Sequence, residues 1–427
     1  MPLMNATASY SSDDVRVTIN KHGARQYTRM SYPLHSGIFT EVETKNHILH
    51  FNLNNEIIRA KGKGKDWPHP HEWLKRNMGN DWIYYSTGGY TGVFEATGEY
   101  YLPNLPYKTN GMLGGNPFSN EPVDNLIQSW PETLSAILNN TPDLPIHVSD
   151  FLTNALTHTS QDLSQKADRL FSICGGRSTV LPPDARHVDY NVIPITISTG
   201  CLYKCRFCEV KNKLPFAAKS NKEITSQISS LKNIYDKDLL NYNAVFLGEH
   251  DALQTGPQII VDTLSLAYEQ FHFNQSFVSG CKAFLFGSVT SLMNTPDTFF
   301  KDLQQLPFEV YINIGLESAD QATLDLLGKP ITTQMVTDAF MRIQDINDRF
   351  SKTEITANFV IDDDLPATHL PAFLELVRES LPRVKPKGCV YLSPLKFGQP
   401  SRSKTFGFNR LKVLSRVPTF LYIIQRL

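Results

Sequence analysis

From about residue 186 onward the chain alternates between two textures. Short runs of β-branched and aromatic residues recur, and each is followed by a stretch whose apolar residues repeat with helical period. The runs are Val192 to Ser198, Ala244 to Leu247, Lys282 to Gly287, Glu309 to Ile314, Ile355 to Ile361 and Cys389 to Leu392. Helical stretches fall between them, near 221–236, 257–271, 296–305, 332–348 and 368–380. This alternation predicts an α/β fold with a parallel sheet and helices outside it. Six strands fall short of the eight that close a barrel, so the expected architecture is an open, partial (β/α)6 TIM-type barrel.

The N-terminal part reads differently, as an α+β region rich in aromatics. All four tryptophans (Trp67, Trp73, Trp82, Trp130) lie there. Ile48, Leu49, Phe51, Leu53, Ile57 and Ile58 flank Asn54-Asn55, which predicts a β-hairpin with an Asn-rich turn. A second hairpin is expected from Trp82–Tyr85 through Gly88-Gly89 to Val93-Phe94. Residues 148–173 carry Phe151, Leu152, Ala155, Leu156, Leu163, Ala167 and Leu170 on one helical face. Gly175-Gly176 and Pro182-Pro183 then punctuate the chain. The expected units are therefore 1–185, an aromatic-rich region suited to substrate specificity, 186–395, the barrel core, and 396–427, a basic tail.

Charge and composition narrow the setting. With 42 acidic against 41 basic residues in 427, net charge points to no polyanionic partner for the whole molecule. From residue 381 onward, however, there are ten Lys or Arg and no Asp or Glu. A solvated basic tail is the simpler reading, with a nucleic acid the alternative. No basic start is followed by an apolar run, and no stretch approaches the roughly eighteen apolar residues of a membrane helix. A cytoplasmic protein with no membrane partner is expected, in keeping with unpaired cysteines in a reducing compartment.

Six cysteines are unevenly placed. Cys174, Cys281 and Cys389 are isolated, while three fall within eight residues as Cys201-Leu-Tyr-Lys-Cys205-Arg-Phe-Cys208. Structural zinc is normally closed by four ligands, so three clustered thiols suit it poorly. They suit an iron–sulfur cluster with one iron left for another ligand. The cluster loop follows the first predicted barrel strand through Thr199-Gly200, at the end of the strand where barrel chemistry gathers. Lys204 and Arg206 are placed to help hold the sulfurs deprotonated.

Gly200-Cys-Leu-Tyr-Lys-Cys-Arg-Phe-Cys208 resembles the signature of the radical S-adenosylmethionine (radical SAM) superfamily, C-x3-C-x-aromatic-C. Pro182–Tyr190 is similar to the lead-in of some members, and the resemblance extends over about residues 180–395. It implies a [4Fe–4S] cluster on Cys201, Cys205 and Cys208, with S-adenosyl-L-methionine (SAM) chelating the fourth iron and Phe207 near its adenine. It implies an external low-potential electron donor, flavodoxin- or ferredoxin-like, and a 5′-deoxyadenosyl radical that takes hydrogen from a substrate the sequence does not name. A non-catalytic iron–sulfur redox sensor or electron carrier is the alternative.

Two further segments match the family at a distance. Phe246-Leu-Gly-Glu-His-Asp-Ala-Leu253 stands where relatives carry a Gly-Gly-Glu-like motif that receives the amino group of SAM. Gly248 suits close backbone approach, and Glu249 or Asp251 is the expected acceptor. Asn313-Ile-Gly-Leu-Glu-Ser318, continuing to Gly328-Lys329-Pro330, resembles a segment of the Elongator catalytic subunit, methylthiotransferases and oxygen-independent coproporphyrinogen oxidases. Glu317 is there the expected partner of the SAM ribose or methionine, while Ser318, with Gln321, fits a capping box for the next helix. Asp362-Asp-Asp364 reads as an acidic loop before a helix rather than a metal site. Trp67-Pro-His-Pro-His-Glu-Trp73 reads as a packed loop.

Overall fold

The structure, a computed structural model, describes residues 7–27, 35–88, 93–105, 116–208, 214–248, 250–395 and 402–427, with side chains from 406 onward in the last segment. The N-terminal part is an eight-stranded antiparallel meander. Its strands are Ala8–Ser11 (β1), Val15–His22 (β2), Ile38–Thr44 (β3), His47–Phe51 (β4), Ile57–Gly62 (β5), Trp73–Arg76 (β6), Trp82–Ser86 (β7) and Leu102–Asn104 (β8), each paired with its neighbour in sequence. One face of the sheet, including Val17, Val42, Leu49, Ala60 and Leu74, buries against Val123, Leu126, Trp130 and Leu134 of the helix Glu121–Asn140.

The hairpin expected around Asn54-Asn55 is β4 and β5. Asn52 Oδ1 accepts the N–H groups of Asn54 and Glu56, both at 2.9 Å, and Asn55 takes the left-handed conformation that asparagine tolerates. The second expected hairpin does not form as read. β7 pairs with β6 and β8, and Val93–Thr97 is a short helix. Val93 packs with Leu102 and Ile423 there, a contact far away in sequence; Gly89 lies outside the described residues. The expected helix over 148–173 is two helices, Ile146–Leu156 and Ser160–Cys174. Thr159 and Asp162 make a reciprocal capping box that starts the second one afresh.

The C-terminal part is an open parallel sheet. Its strands run in the order Ile193–Pro194 (β9), Ala244–Phe246 (β12), Lys282–Gly287 (β13), Glu309–Glu317 (β14), Thr353–Ile361 (β15), Val390–Pro394 (β16) and Thr419–Leu421 (β17). Every adjacent pair is parallel, giving the partial TIM-type barrel that the alternation predicts. Because both faces are covered, side chains alternate between two apolar environments. Val245, Leu285, Val310, Ile312, Ile314, Ile355 and Phe359 pack beneath the outer helices, whereas Ala244, Phe246, Phe284 and Tyr311 face inward.

Three details differ from the pattern. The first expected strand divides: Ile193–Pro194 joins the barrel, and Ser198–Thr199 (β10) turns away to pair with Ala217–Ala218 (β11). Between them the Gln227 amide accepts the Thr196 N–H at 2.7 Å and donates to its carbonyl at 3.0 Å, replacing a strand neighbour. β14 runs on to Glu317 through a bulge between Gly315 and Glu317. A seventh strand, β17, follows the helix Arg402–Leu414.

The lead-in to the barrel is structural. In the 3₁₀ turn Pro183–Val188, Asp184 is fully buried and accepts from Thr356 Oγ1 and from the Tyr391 hydroxyl, both at 2.6 Å. His187 stacks on Tyr311 at 4.5 Å. These partners sit near the N-terminal ends of their strands, so the turn fills the barrel interior at that end. Basic residues of the last segment are used internally: Lys412 donates to the Glu95 carbonyl, Arg416 to the Leu381 carbonyl, and Arg426 grips Asp81 at 2.8 and 3.1 Å. Among the described residues no helix is long and apolar enough to cross a membrane.

Candidate functional site at the C-terminal ends of the barrel strands

The cysteine loop leaves β10 at Gly200, which takes φ +70°. A Cβ there would lie 2.2 Å from the Pro215 carbonyl oxygen, so both conformation and space demand glycine. Two later strands brace the loop. Arg206 N–H donates to the carbonyl of Leu327 at 2.8 Å, at the end of the helix Gln321–Leu327 that follows β14. Tyr203 shares a 2.5 Å hydroxyl–hydroxyl hydrogen bond with Thr290 and accepts the Thr290 N–H, on the helix Val289–Asn294 that follows β13.

Cys201, Cys205 and Cys208 are all partly exposed, and none is in a disulfide. Burial raises the Cys201 thiol and pushes Cys205 up to about 11. Cys205 feels the charge of both other thiols, so the three sulfurs share one electrostatic neighbourhood. The cation that opposes these shifts is Lys329. Lys204 and Arg206, expected in that role, are exposed to solvent, and the Arg206 stem lies against Gly328. Among the described residues no three Cys, His, Asp or Glu side chains gather tightly enough to hold a single metal ion.

Lys329 is buried, with its ammonium 3.1 Å from Glu317 Oε1 and 5.6 Å from the centre of the Tyr203 ring. Burial disfavours its charge, but Glu317 and Cys205 outweigh that and raise its pKa. Glu317 ends β14 at φ +67°, a costly conformation for a side chain other than glycine or asparagine. That turn folds its carboxylate back over Gly315, where a Cβ would meet Oε1 at 2.4 Å.

Asp251 follows the β12 loop and is 4% exposed. Its Oδ1 accepts from Ser291 Oγ at 2.7 Å and from Ser288 N–H at 3.1 Å, tying the second strand's loop to the third's. Its Oδ2 is buried with no hydrogen-bond partner. Burial raises its pKa, and its charge acts on Cys201. Gly248 takes φ +97°, while a Cβ there would meet Thr196 only at ordinary contact distance, so conformation sets the need for glycine. Glu249 lies outside the described residues. Phe207 is partly buried in the loop beside Cys208.

Ser318 does not cap the next helix. Asp320 does, accepting the Thr323 N–H at 2.9 Å, while Ser318 Oγ bonds His369 Nδ1 at 2.8 Å. Asp362 Oδ1 accepts the Asp364 N–H in a local turn. The structure thus brings the three cysteines, Asp251 and Glu317 to one end of the barrel. Lys329, Tyr203, Ser288 and Ser291 join them there, and sequence reading passed over these four. Only Lys329 carried a signal, as the lysine of the Gly-Lys that follows the Glu317 segment.

No family model matches the chain, and no curated protein matches it. Among solved structures it is similar to a radical SAM methyltransferase from Sphaerobacter thermophilus, with 16% identity, a TM-score of 0.36, and coverage of 54% of this chain and 65% of that one. It is similar to Streptococcus suis SuiB bound to S-adenosylmethionine, with 10% identity, a TM-score of 0.36, and coverage of 74% and 65%. It is also similar to methylornithine synthase, with 14% identity, a TM-score of 0.34, and coverage of 69% and 77%. The chain spans less than two thirds of the length of the first two. Likenesses of this size carry no argument about its chemistry.

Proposed function

We propose that the chain is a radical SAM enzyme, with a [4Fe–4S] cluster on Cys201, Cys205 and Cys208. The observation that carries the reading is that the strand-end loops bring these thiols to the same end of the barrel as Asp251, whose buried Oδ2 lacks a hydrogen-bond partner. The other cysteines stand elsewhere and supply no fourth ligand. Cys281 and Cys389 immediately precede β13 and β16, at the opposite end of the sheet, and Cys174 Sγ lies 3.6 Å from the Pro194 carbonyl. When bound, the cluster and SAM supply one-electron cleavage of a carbon–sulfur bond, giving methionine and a 5′-deoxyadenosyl radical.

The chain's own residues provide binding and exclusion. Asp251 Oδ2 is a ready acceptor for the SAM ammonium, and its partner oxygen is already fixed by Ser288 and Ser291. Glu317 is locked by Lys329 and offers its remaining acceptor positions to the ribose hydroxyls or the methionine. Phe207 offers an aromatic face to the adenine. Lys329 offsets part of the thiolate charge from beneath the loop. The electron comes from an external low-potential donor of the flavodoxin or ferredoxin kind, in a cytoplasmic setting. The substrate sits above the strand ends, where a closed, dry site keeps the radical from other hydrogen donors.

Anaerobic reconstitution with iron and sulfide, followed by dithionite and SAM, tests this directly. The enzyme releases 5′-deoxyadenosine on chromatography. A SAM-bound, intact cluster that releases none leaves the electron-carrier reading instead.

A further inference from the structure

At the other end of the barrel, where the N-terminal sheet meets the starts of β9 and β12, lies a partly open cavity of about 50 Å³. A water molecule needs roughly 10–15 Å³ by the same measure, so the space takes several waters or one compact ion. Its wall combines Tyr27, Ser36, Arg59, Lys75 and Arg76 of the N-terminal part with Asp238 and Tyr242 of the barrel. Three cationic side chains therefore line it against one carboxylate side chain.

Two of those cations are already matched. Lys75 Nζ is 2.7 Å from Asp189 Oδ2, and Arg76 lies 3.9 Å from Glu56, which Lys166 also contacts. Arg59 is different. It is 8% exposed, its Nη2 donates only to the Ser36 carbonyl at 3.2 Å, and its Nη1 is buried with no hydrogen-bond partner. Among the described residues no carboxylate lies within ion-pairing distance of it, and Asp189 and Asp238 act on it only from farther off. Asp238 itself is held by Asn241 Nδ2 at 2.7 Å and by Leu53 N–H and Asn52 Nδ2, both at 3.3 Å. A buried guanidinium with an open donor is costly unless a counter-charge arrives. A guanidinium edge of this geometry suits an oxyanion.

We propose that this cavity is a binding site for a compact oxyanion of phosphate or sulfate size, held by the Arg59 guanidinium between the N-terminal sheet and the barrel. The bound anion completes the charge balance of the junction and fastens the two parts together. The site is separated from the cysteine loop by the length of the strands, so it stands whether or not the chain cleaves SAM.

The test uses the full chain without reconstitution, at fixed ionic strength, with chloride replaced stepwise by inorganic phosphate, by sulfate or by a phosphate monoester such as glycerol phosphate. The wild-type melting temperature rises and saturates with phosphate or sulfate. Calorimetric titration with phosphate gives one site per chain, and Arg59→Gln weakens it by about 10- to 100-fold, the range for a hydrogen bond to a charged group. Tighter binding of the ester than of phosphate assigns the site to the anionic end of a metabolite, and weaker binding to a free ion; both support it. A melting temperature that stays unchanged as phosphate or sulfate replaces chloride overturns the proposal, as does an unchanged phosphate titration in Arg59→Gln. Should that variant fold poorly, a selenate soak decides by anomalous scattering: a peak in the cavity beside the Arg59 guanidinium supports the site, and its absence refutes it.

Discussion

Replacing Lys329 with methionine removes the cation beneath the cysteine loop while keeping much of its bulk. The Lys329 and Glu317 side chains are only 5% and 12% exposed, so the variant strands a carboxylate out of water. Breaking a buried pair in this way costs about 3–5 kcal/mol, most of it from the charge left behind. Loss of the contact to the Tyr203 ring adds about 0.5–1 kcal/mol. Adding Glu317→Gln removes the stranded charge, and the double variant regains most of the loss. Urea unfolding followed by far-ultraviolet circular dichroism reads this out, because all four tryptophans lie outside the barrel. The same Lys329→Met change raises the Cys205 thiol further, so alkylation of that residue at fixed pH slows. A loss under about 1 kcal/mol in Lys329→Met, or a double variant that loses the sum of both singles, refutes the coupling.

Other outcomes follow from the same geometry. Gly200→Ala places a Cβ 2.2 Å from a carbonyl at positive φ, and costs at least about 1–3 kcal/mol, with poorer iron uptake on reconstitution; normal iron content at wild-type stability contradicts this. Asp251→Asn keeps iron content but weakens SAM binding in equilibrium dialysis by about 10- to 100-fold, because a charge-assisted hydrogen bond is lost; unchanged affinity transfers the acceptor role to another residue. In the N-terminal part, burial pushes His50 down to about 4, against the opposing effect of its hydrogen bond to the Glu41 carboxylate. The unfolded chain takes up that proton near 6.5 and the folded one only near 4, so stability is fully present above about 6.5. The His50 share falls by at most about 3 kcal/mol as pH drops toward 4, and the neighbouring buried His35, whose pKa burial also lowers, adds to the loss. Tryptophan fluorescence reports the loss, since the Trp73 ring centre is 5.1 Å from that of His50, and His50→Gln flattens the slope.

The barrel was legible where strands are long and apolar on both faces. Lys282–Gly287 forms as read, and the outer helices fall within a residue or two of their periodicity. Thr419–Leu421 escaped because three residues carry no period, and only pairing with Val390–Leu392 makes them a strand. The N-terminal meander showed one hairpin, the one whose turn has its own chemistry. Several of its other strands are short, and partners elsewhere in the sheet set their register, as where Val15–His22 pairs with Ile38–Thr44 across an irregularity between Thr18 and Lys21. At the site, the cysteines were readable because their spacing is local. The Lys329–Glu317 pair spans twelve residues and the Asp251–Ser291 bond forty, so only the assembled strand ends reveal them. Sequence adjacency points to Lys204 and Arg206 rather than Lys329, because it does not show which side chains are exposed to solvent.

The central claim is that three thiolates leave one iron for SAM. Its most direct test is hyperfine spectroscopy of the reconstituted, dithionite-reduced protein with SAM labelled by ¹⁵N at the amino group or ¹⁷O at the carboxylate. The account predicts coupling of both labels to the reduced cluster in wild type. It predicts loss of the ¹⁵N coupling or weakened SAM occupancy in Asp251→Asn, and no cluster in Cys205→Ala. A four-iron cluster that forms normally but shows no coupling to either label contradicts it.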